Sequence, residues 1–187
     1  MLNAKPITKA IKHDKESFAH IRDLYSTAFP RQEQVPLPFL IKQTKNVSNK
    51  FEAFYDGGVF VGLAYTISYK DITYLWYLAT RSDLRSKGYG SQIMQHLYET
   101  NPNKRIILNL DVQDASASDN DIRKKRKEFY LRNGYSSTGY LCNFNRNKLD
   151  VMSMNGYVAP DEFVSVFKDF FGIMYFIAKP KIVSPAK

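Results

Sequence analysis

A chain of 187 residues with 44% hydrophobic and 24% charged residues is ordinary for one soluble globular domain with a proper core. The single cysteine, Cys142, excludes an internal disulfide, and the three histidines show no metal-ligand spacing, so no metal is expected. The sequence shows neither an apolar run that could span a membrane nor a secretory signal, so we expect a cytoplasmic protein without a membrane partner. The net charge of +9 attracts anions, including nucleic acid and phosphorylated cofactors.

The N-terminal part predicts a short strand followed by helices. We expect the strand at Ile7–Ile11, and Asp14 is the predicted N-cap of a helix with a continuous apolar face. Pro30 ends that helix. The connection from Pro30 to Pro38 is punctuated by prolines, and a second helical pattern covers Phe39–Lys45.

An antiparallel meander follows. Two strand-like runs, Phe51–Tyr55 and Val59–Tyr69, flank the turn sequence Asp56-Gly57-Gly58, which is a strong hairpin signal. A turn at Lys70-Asp71 leads into the next strand, which begins at Thr73.

The C-terminal part predicts further strands and helices around one sheet. We expect strands at Arg105–Val112, Thr138–Asn143, Leu149–Met154 and Ile173–Ala178, and helices at Asp121–Leu131 and Asp161–Phe171. Asn133-Gly134 is the expected end of the first of these helices, because glycine readily adopts the left-handed conformation.

The stretch from Thr73 to Thr100 carries the first functional signal. It predicts a strand ending at Thr80, a basic turn that includes Gly88-Tyr89-Gly90-Ser91, and an amphipathic helix. Glycines let the backbone approach a ligand closely, and the start of a helix offers unpaired N–H groups and a positive dipole end. These parts predict an anion site, most simply for a phosphate or pyrophosphate.

Two common phosphate motifs do not fit this turn. A P-loop needs Lys-Ser or Lys-Thr directly after the second glycine of a longer loop. A dinucleotide fingerprint needs a third glycine three residues after the second, where this chain has Ile93, and a first glycine at the strand end. A glycine turn that merely caps a helix is the remaining structural alternative.

The turn instead matches the pattern Arg/Gln-x-x-Gly-x-Gly/Ala at Arg85-Ser86-Lys87-Gly88-Tyr89-Gly90. After a strand ending Leu78-Ala79-Thr80, this pattern resembles the acyl-CoA-binding motif of the GNAT N-acetyltransferase superfamily. A second match lies downstream, where Phe129, Tyr130, Gly134 and Tyr135 are similar to the family signature Phe/Leu-Tyr-x-x-x-Gly-Phe/Tyr. The motifs and the strand between them cover residues 73–142.

The resemblance implies an α/β fold: a single GNAT domain over residues 1–187, with a mixed, mostly antiparallel sheet of about seven strands flanked by helices. It implies transfer of an acetyl group from acetyl-CoA to a primary amine by direct attack. The implied partners are acetyl-CoA and an unidentified amine acceptor, without nucleic acid, in a monomer or homodimer. The acyl-CoA-binding residues implied by the motif are Leu78, Ala79, Thr80, Arg85, Ser86, Lys87, Gly88, Tyr89, Gly90, Ser91 and Tyr130.

The resemblance also implies catalytic roles. A backbone N–H at or beside Ala79 would stabilise the oxyanion, and Tyr130 would protonate or hydrogen-bond the leaving thiolate. Histone-type members place a glutamate five residues before the alanine, but this chain has Tyr74 there. Two carboxylates are therefore open as the general base, Glu33 in the proline-flanked connection and Asp111 on the fifth strand, and a water relay is the alternative to both.

Two other classes of function stay open on the sequence. One is a module of the same fold that binds acyl-CoA without catalysis, as a sensor or scaffold; the absence of the strand-four glutamate favours it and Tyr130 disfavours it. The other is a nucleic-acid-binding protein that uses the basic surface, although the sequence carries no RNP, KH or zinc signature.

Overall fold

The computed structural model describes residues 2–144, 147–176 and 179–183. The strands are Asn3–Pro6 (β1), Asn49–Asp56 (β2), Val59–Tyr69 (β3), Ile72–Thr80 (β4), Arg105–Asp111 (β5), Ser136–Phe144 (β6), Asn147–Met154 (β7) and Lys181–Val183 (β8). The α-helices are Lys15–Ala28 (α1), Leu37–Gln43 (α2), Tyr89–Glu99 (α3), Asn120–Arg132 (α4) and Pro160–Phe171 (α5). Short 3-10 helices cover Lys9–His13, Arg31–Glu33, Ser82–Leu84 and Gly172–Phe176.

The strands form one sheet in the order β1-β2-β3-β4-β5-β7-β6-β8. β4 and β5 run parallel, pairing Ile72–Tyr74 with Arg105–Ile107, whereas β1 with β2, β2 with β3, β5 with β7, β7 with β6 and β6 with β8 pair antiparallel. The predicted class, an α/β fold with a mixed and mostly antiparallel sheet flanked by helices, is confirmed. Over the described residues, the sheet has eight strands where we expected about seven.

The expected first strand at Ile7–Ile11 is wrong. β1 instead covers Asn3–Pro6, pairs with β2 at the edge of the sheet, and is followed by a 3-10 helix at Lys9–His13. Ile7 still belongs to the core, because it is fully buried and its N–H donates to the Phe51 carbonyl. The short, polar sequence of an edge strand has no apolar alternation that could reveal it.

The expected strand at Ile173–Ala178 is also wrong over the residues that the structure describes. A 3-10 helix occupies Gly172–Phe176, and residues 177–178 lie outside the described part of the chain. The last strand in the described part of the chain is β8, which pairs with β6.

Local signals set the start of α1 and the end of α4. The Asp14 carboxylate accepts a hydrogen bond of 3.1 Å from the Ser17 N–H and so caps α1, as predicted. α4 ends at Arg132, and Gly134 follows with φ +87°, the left-handed conformation that glycine adopts without strain.

The chain forms two compact units, of which the first comprises Met1–Ile67 and Leu75–Pro102. In this unit, the two faces of the β2–β3 hairpin contact different helices because side chains alternate along a strand. Tyr65 directs its hydroxyl toward the Leu40 carbonyl in α2, whereas Phe54 packs edge-on against His96 of α3, with ring centroids 5.3 Å apart.

The second unit comprises Ser68–Tyr74 and Asn103–Lys187. Its core is aromatic, with Tyr74 and Tyr140 packed around Phe163 and Phe167 of α5. Arg105, the first residue of β5, links this strand to α5. Its guanidinium donates to both carboxylate oxygens of Glu162 in α5, at 2.8 and 2.9 Å. Among the described helices, none has both the length and the apolar character needed to cross a membrane.

Candidate active site

The turn between β4 and α3 has the backbone geometry that an anion site requires. Gly88 is the N-cap of α3 with φ +81° and ψ 0°, and its carbonyl accepts the Gln92 N–H at 3.1 Å. Ser86 is also left-handed, with φ +63°, which is uncommon for a residue with a side chain. Ser86 and Gly88 together make a tight turn, and its conformational cost falls on Ser86 because glycine adopts positive φ without strain.

This turn presents its backbone to solvent. Helix geometry leaves the N–H groups of Tyr89, Gly90 and Ser91 without intrahelical acceptors, and Ser91 is exposed. The Tyr89 hydroxyl donates to the Asp56 carboxylate at 2.9 Å and so ties the start of α3 to the end of β2. We call Arg85–Ser91 the cradle.

The basic residues near the cradle divide into two kinds. Arg81 is already paired within the protein. Its guanidinium donates to both carboxylate oxygens of Asp83, at 3.1 and 2.7 Å, and to the Phe60 carbonyl at 3.2 Å. Arg85 and Lys87 are exposed side chains on the cradle itself. The charge available to a bound anion therefore comes from Arg85 and Lys87 rather than from the whole basic turn.

The end of β4 is held closely by β3. Ala79 is buried, whereas Leu78 and Thr80 are half-buried. A methyl group placed on Gly62 would come within 2.6 Å of the Ala79 carbonyl oxygen and 3.0 Å of the Ile93 side chain. Sequence reasoning missed Gly62, because a lone glycine inside a strand shows only that some close approach exists.

Glu33 lies in the same unit as the end of β4 and the cradle. It is half-buried in the 3-10 helix Arg31–Glu33, and its backbone carbonyl accepts the Tyr77 hydroxyl at 2.7 Å. This contact brings the connection between α1 and α2 to a residue two positions before Ala79.

A cleft of about 290 Å³ adjoins the beginning of the turn after β4. It lies between α1 and the residues that follow β4, and its lining is His20, Asp23, Leu24, Thr27, Phe60, Arg81, Ser82 and Asp83. The hydrogen bonds from Arg81 lower the pKa of the Asp83 carboxyl, so this cleft is lined by an ion pair of opposite charges.

Tyr130 lies in the second unit, near the C-terminal end of α4. Tyr130 is only 8% exposed. Burial raises the pKa of its phenol to about 12, although the positive charge of Arg126 opposes that rise. Its ring packs against Phe129 and Tyr135, with centroids 5.0 and 5.6 Å away. The Tyr135 N–H donates to the Tyr130 carbonyl at 3.1 Å, so the glycine turn after α4 fixes this aromatic group.

Asp111 also lies in the second unit, at the end of β5, with its carboxylate 3.6 Å from the Arg126 guanidinium. It lines a cleft of about 250 Å³ together with Lys127, Ser137 and Asp150. Asp150 is buried and accepts hydrogen bonds from Lys127 Nζ at 2.8 Å and Ser137 Oγ at 2.7 Å. The irregular register of β6 between Ser137 and Leu141 lies at this cleft.

Sequence reasoning did not find the Lys127–Asp150 pair. The partners are 23 positions apart on different elements, and only the alternation of β7 could have marked Asp150 as an inward-facing charge. The described residues hold no group of three or more His, Cys, Asp or Glu side chains that could bind a metal ion.

The structure thus distributes the predicted site residues over the two units. The first unit holds Glu33, the end of β4 and the cradle, and the second holds Asp111 and Tyr130.

Two of three comparisons with known proteins found matches to this chain. The sequence pattern of the family described as "Acetyltransferase (GNAT) domain" matches residues 49–137, which include both the cradle and Tyr130. Among curated protein sequences, none matches the chain.

Solved structures share the fold. A protein from Bacteroides thetaiotaomicron assigned to the GNAT acetyltransferase family has a TM-score of 0.70 at 20% identity, over 92% of this chain and 98% of that one. An aminoglycoside 6'-N-acetyltransferase complexed with coenzyme A has a TM-score of 0.64 at 18% identity, over 85% and 99%. A GNAT-family acetyltransferase from Elizabethkingia anophelis with bound acetyl-CoA has a TM-score of 0.58 at 14% identity, over 82% of this chain and 97% of that one. The likenesses at these identities establish the fold, and residues 49–137 of the chain match the GNAT acetyltransferase domain.

Proposed function

We propose that this protein transfers an acetyl group from acetyl-CoA to a primary amine by direct attack. The observation that carries the proposal is the cradle, where the left-handed Gly88 opens α3 directly after β4 and leaves the N–H groups of Tyr89, Gly90 and Ser91 for an anion.

The residues present fit coenzyme A. The space around Gly88 is open, since a Cβ there would have only the Gln92 side chain as a neighbour, at 4.0 Å. A pyrophosphate could therefore approach the backbone, and Arg85 and Lys87 would supply the opposite charge. The relatives with bound coenzyme A or acetyl-CoA support this choice of donor.

The reaction makes three demands on the chain. The acceptor nitrogen must lose a proton to attack the thioester carbon, because a free alkylamine titrates near 10. The oxygen of that carbonyl then gains negative charge, which a backbone N–H at Ala79 would stabilise. Finally the carbon–sulfur bond breaks, and the products are the acetylated amine and the free thiol of coenzyme A.

Tyr130 is our candidate for assisting the departing sulfur. With a pKa of about 12, its phenol stays protonated at neutral pH and can always donate a hydrogen bond. A thiol titrates near 8.5, so complete proton transfer from this phenol is uphill and the expected role is hydrogen-bond donation to the thiolate. Glu33 and Asp111 remain the candidates for the base.

The first experiment measures the shift in melting temperature caused by acetyl-CoA. A ligand that binds only the folded state adds about 2.7 kcal/mol of stability at a concentration of 100 times its Kd. We expect such a shift for the wild type and none for a folded Gly88→Val variant, whose added side chain occupies the space meant for the anion.

Gly139→Val is the matched control. Gly139 has φ +83°, close to the +81° of Gly88, and nothing lies within 4 Å of its position. The backbone strain of the two variants is therefore similar, but Gly139→Val should keep the acetyl-CoA shift. A shift retained in folded Gly88→Val would contradict the cradle.

The second experiment measures thiol release from acetyl-CoA in the presence of spermidine, kanamycin A or a peptide with a free N-terminal alanine. Turnover with any of these amines supports transfer. A strong acetyl-CoA shift without turnover on any amine would instead favour a module that binds acyl-CoA without catalysis.

A further inference from the structure

The hydroxyl of Tyr77 joins β4 to the connection between α1 and α2. Tyr77 is 2% exposed. Its hydroxyl donates to the Glu33 carbonyl at 2.7 Å and accepts the Val35 N–H at 3.1 Å. One side-chain oxygen therefore closes both ends of the segment Glu33–Val35.

The same segment is fastened from α1. The Tyr25 hydroxyl donates to the Val35 carbonyl at 2.8 Å. The Gln34 side-chain amide donates to the Phe29 carbonyl at 2.7 Å and to the Ser26 carbonyl at 3.2 Å. These contacts satisfy backbone groups that a mobile loop would expose to water, so Glu33–Val35 is a fixed part of the first unit.

Ring packing holds Tyr77 itself. Its centroid lies 4.7 Å from that of Phe29 and 5.1 Å from that of Tyr25, both in edge-to-face arrangements. Such contacts depend on the ring and not on the hydroxyl. Tyr77→Phe should therefore keep the ring in place and remove the hydrogen bonds of the hydroxyl, including those to Glu33 and Val35.

Strand geometry relates this segment to the proposed site of reaction. Tyr77 and Ala79 are two residues apart on β4 and both buried, so their side chains share a face, roughly 6.6 Å apart along the strand. Glu33–Val35 thus lies on the face of β4 that carries the Ala79 side chain.

We propose that Tyr77 is a positioning residue, which fixes Glu33–Val35 as the wall of the acceptor-amine site beside Ala79. This inference rests on the proposed function. Burial raises the pKa of the Tyr77 phenol, so the hydroxyl stays neutral and can donate and accept at the same time.

Tyr77→Phe is expected to affect the binding of the two substrates differently. The donor is expected to contact the cradle and the backbone of β4, which Tyr77→Phe leaves in place. The acceptor is expected to meet Glu33–Val35, which loses two of its attachments. A change in the binding of only one substrate is not the result of a general loss of stability.

The experiment compares Tyr77→Phe with Tyr140→Phe. Tyr140 is 5% exposed, and its hydroxyl donates to the Val158 carbonyl at 3.1 Å within the second unit. The control thus removes a similarly buried hydroxyl whose hydrogen bond lies within the second unit. Steady-state kinetics are measured with acetyl-CoA and the best amine among spermidine, kanamycin A and the alanine peptide, and hydrogen exchange is measured at the Val35 amide.

We expect Tyr77→Phe to raise the KM for the amine about tenfold, as the loss of hydrogen bonds to an ordered wall implies. The KM for acetyl-CoA should change less than twofold, and the Val35 amide should exchange at least tenfold faster. Tyr140→Phe should leave both KM values and the Val35 exchange rate near those of the wild type.

Three results would overturn the positioning role while leaving the proposed function intact. They are an unchanged Val35 exchange rate, faster exchange with an unchanged KM for the amine, and equal increases of both KM values. Failure of the proposed function looks different, because the wild type itself would turn over no amine of the panel, and that outcome would overturn both proposals.

Discussion

Gly62 and Ala79 approach so closely that β3 has no room for a side chain opposite the Ala79 carbonyl. A Cβ on Gly62 would lie 2.6 Å from that oxygen and 3.4 Å from the Thr80 Cα. Both neighbours are backbone atoms, so they cannot rotate away as the end of a side chain could. The end of β4 can therefore lie this close to β3 only because residue 62 has no side chain.

Gly62→Ala should lower both stability and donor affinity. We expect a loss of about 1–3 kcal/mol in the free energy of unfolding, typical of overpacking, because β3 and β4 must separate. The acetyl-CoA dissociation constant should rise, since residues 78–80 move. Denaturant unfolding and isothermal titration measure the two effects. Gly139→Ala is the control, because its methyl group meets open space and its acetyl-CoA affinity should not change. Wild-type affinity in Gly62→Ala would contradict the role assigned to the close approach of Gly62 and Ala79.

Neutralising Arg85 and Lys87 together should weaken coenzyme A binding and flatten its dependence on salt. Both side chains are exposed on the cradle, and exposed charges act over roughly 8–10 Å at ordinary salt. The double variant Lys124→Gln/Lys125→Gln removes the same charge from α4, where Lys124 already lies 3.8 Å from Asp121. Titration of each double variant with coenzyme A at two salt concentrations compares their affinities. Equal losses from both variants would mean that the general positive field attracts the cofactor.

Tyr130→Phe should lower kcat more than it changes acetyl-CoA affinity. The hydroxyl is needed as charge grows on the departing sulfur, so its contribution belongs mainly to the transition state. We expect a loss of about 10²-fold, the low end for acid assistance. Tyr98→Phe, on a 47% exposed side chain of α3, is the control for removing a phenol oxygen.

The pH dependence of the wild type gives a second check on Tyr130. Burial raises the pKa of this phenol to about 12, above the usual value of about 10, so it stays protonated as the pH rises from 7 to 10. The rate should therefore not fall through ionisation of Tyr130 in that interval. A falling alkaline limb below pH 10 that Tyr130→Phe abolishes would show that the phenol ionises more easily than its burial implies.

Tyr135→Phe should cost less stability than Tyr140→Phe. The Tyr135 hydroxyl is buried and has no hydrogen-bond partner among the described residues, whereas the Tyr140 hydroxyl donates to the Val158 carbonyl. Removing an unpaired hydroxyl relieves a desolvation cost, but removing a paired one leaves a buried carbonyl unsatisfied, at about 1–3 kcal/mol. The melting temperatures of the two variants, compared with that of the wild type, show which substitution costs more stability. The reverse order would mean that Tyr135 has a partner that the protein itself does not supply.

The sequence predicted the features that local chemistry determines. Asp14 caps α1, the Asp56-Gly57-Gly58 turn joins β2 to β3, and Gly134 follows α4 in the left-handed conformation. In each case the residue acts on backbone within a few positions of itself, so a short window contains the necessary information.

Features that depend on a residue far away in the chain could not be predicted from a short window of sequence. The close approach of Gly62 depends on Ala79, and the Tyr77 hydroxyl finds Glu33 at a separation of 44 residues. β1 is recognisable only through its pairing with β2, because an edge strand of four residues has too few inward positions to show a pattern. The candidate site combines both kinds: its cradle is local in sequence, and the residues that would meet the acceptor are not.

The ion pairs of α4 have a consequence for how the protein meets polyanions. Arg123, Lys124, Arg126 and Lys127 each lie within 4 Å of a carboxylate, contributed by Asp119, Asp121, Asp111 and Asp150 respectively. A DNA or RNA backbone laid along this helix would displace few condensed counterions, because these cations already face negative charge. Adding salt should thus weaken any contact of nucleic acid with α4 only slightly, even though the residues from Arg123 to Lys127 are the most basic run in the sequence.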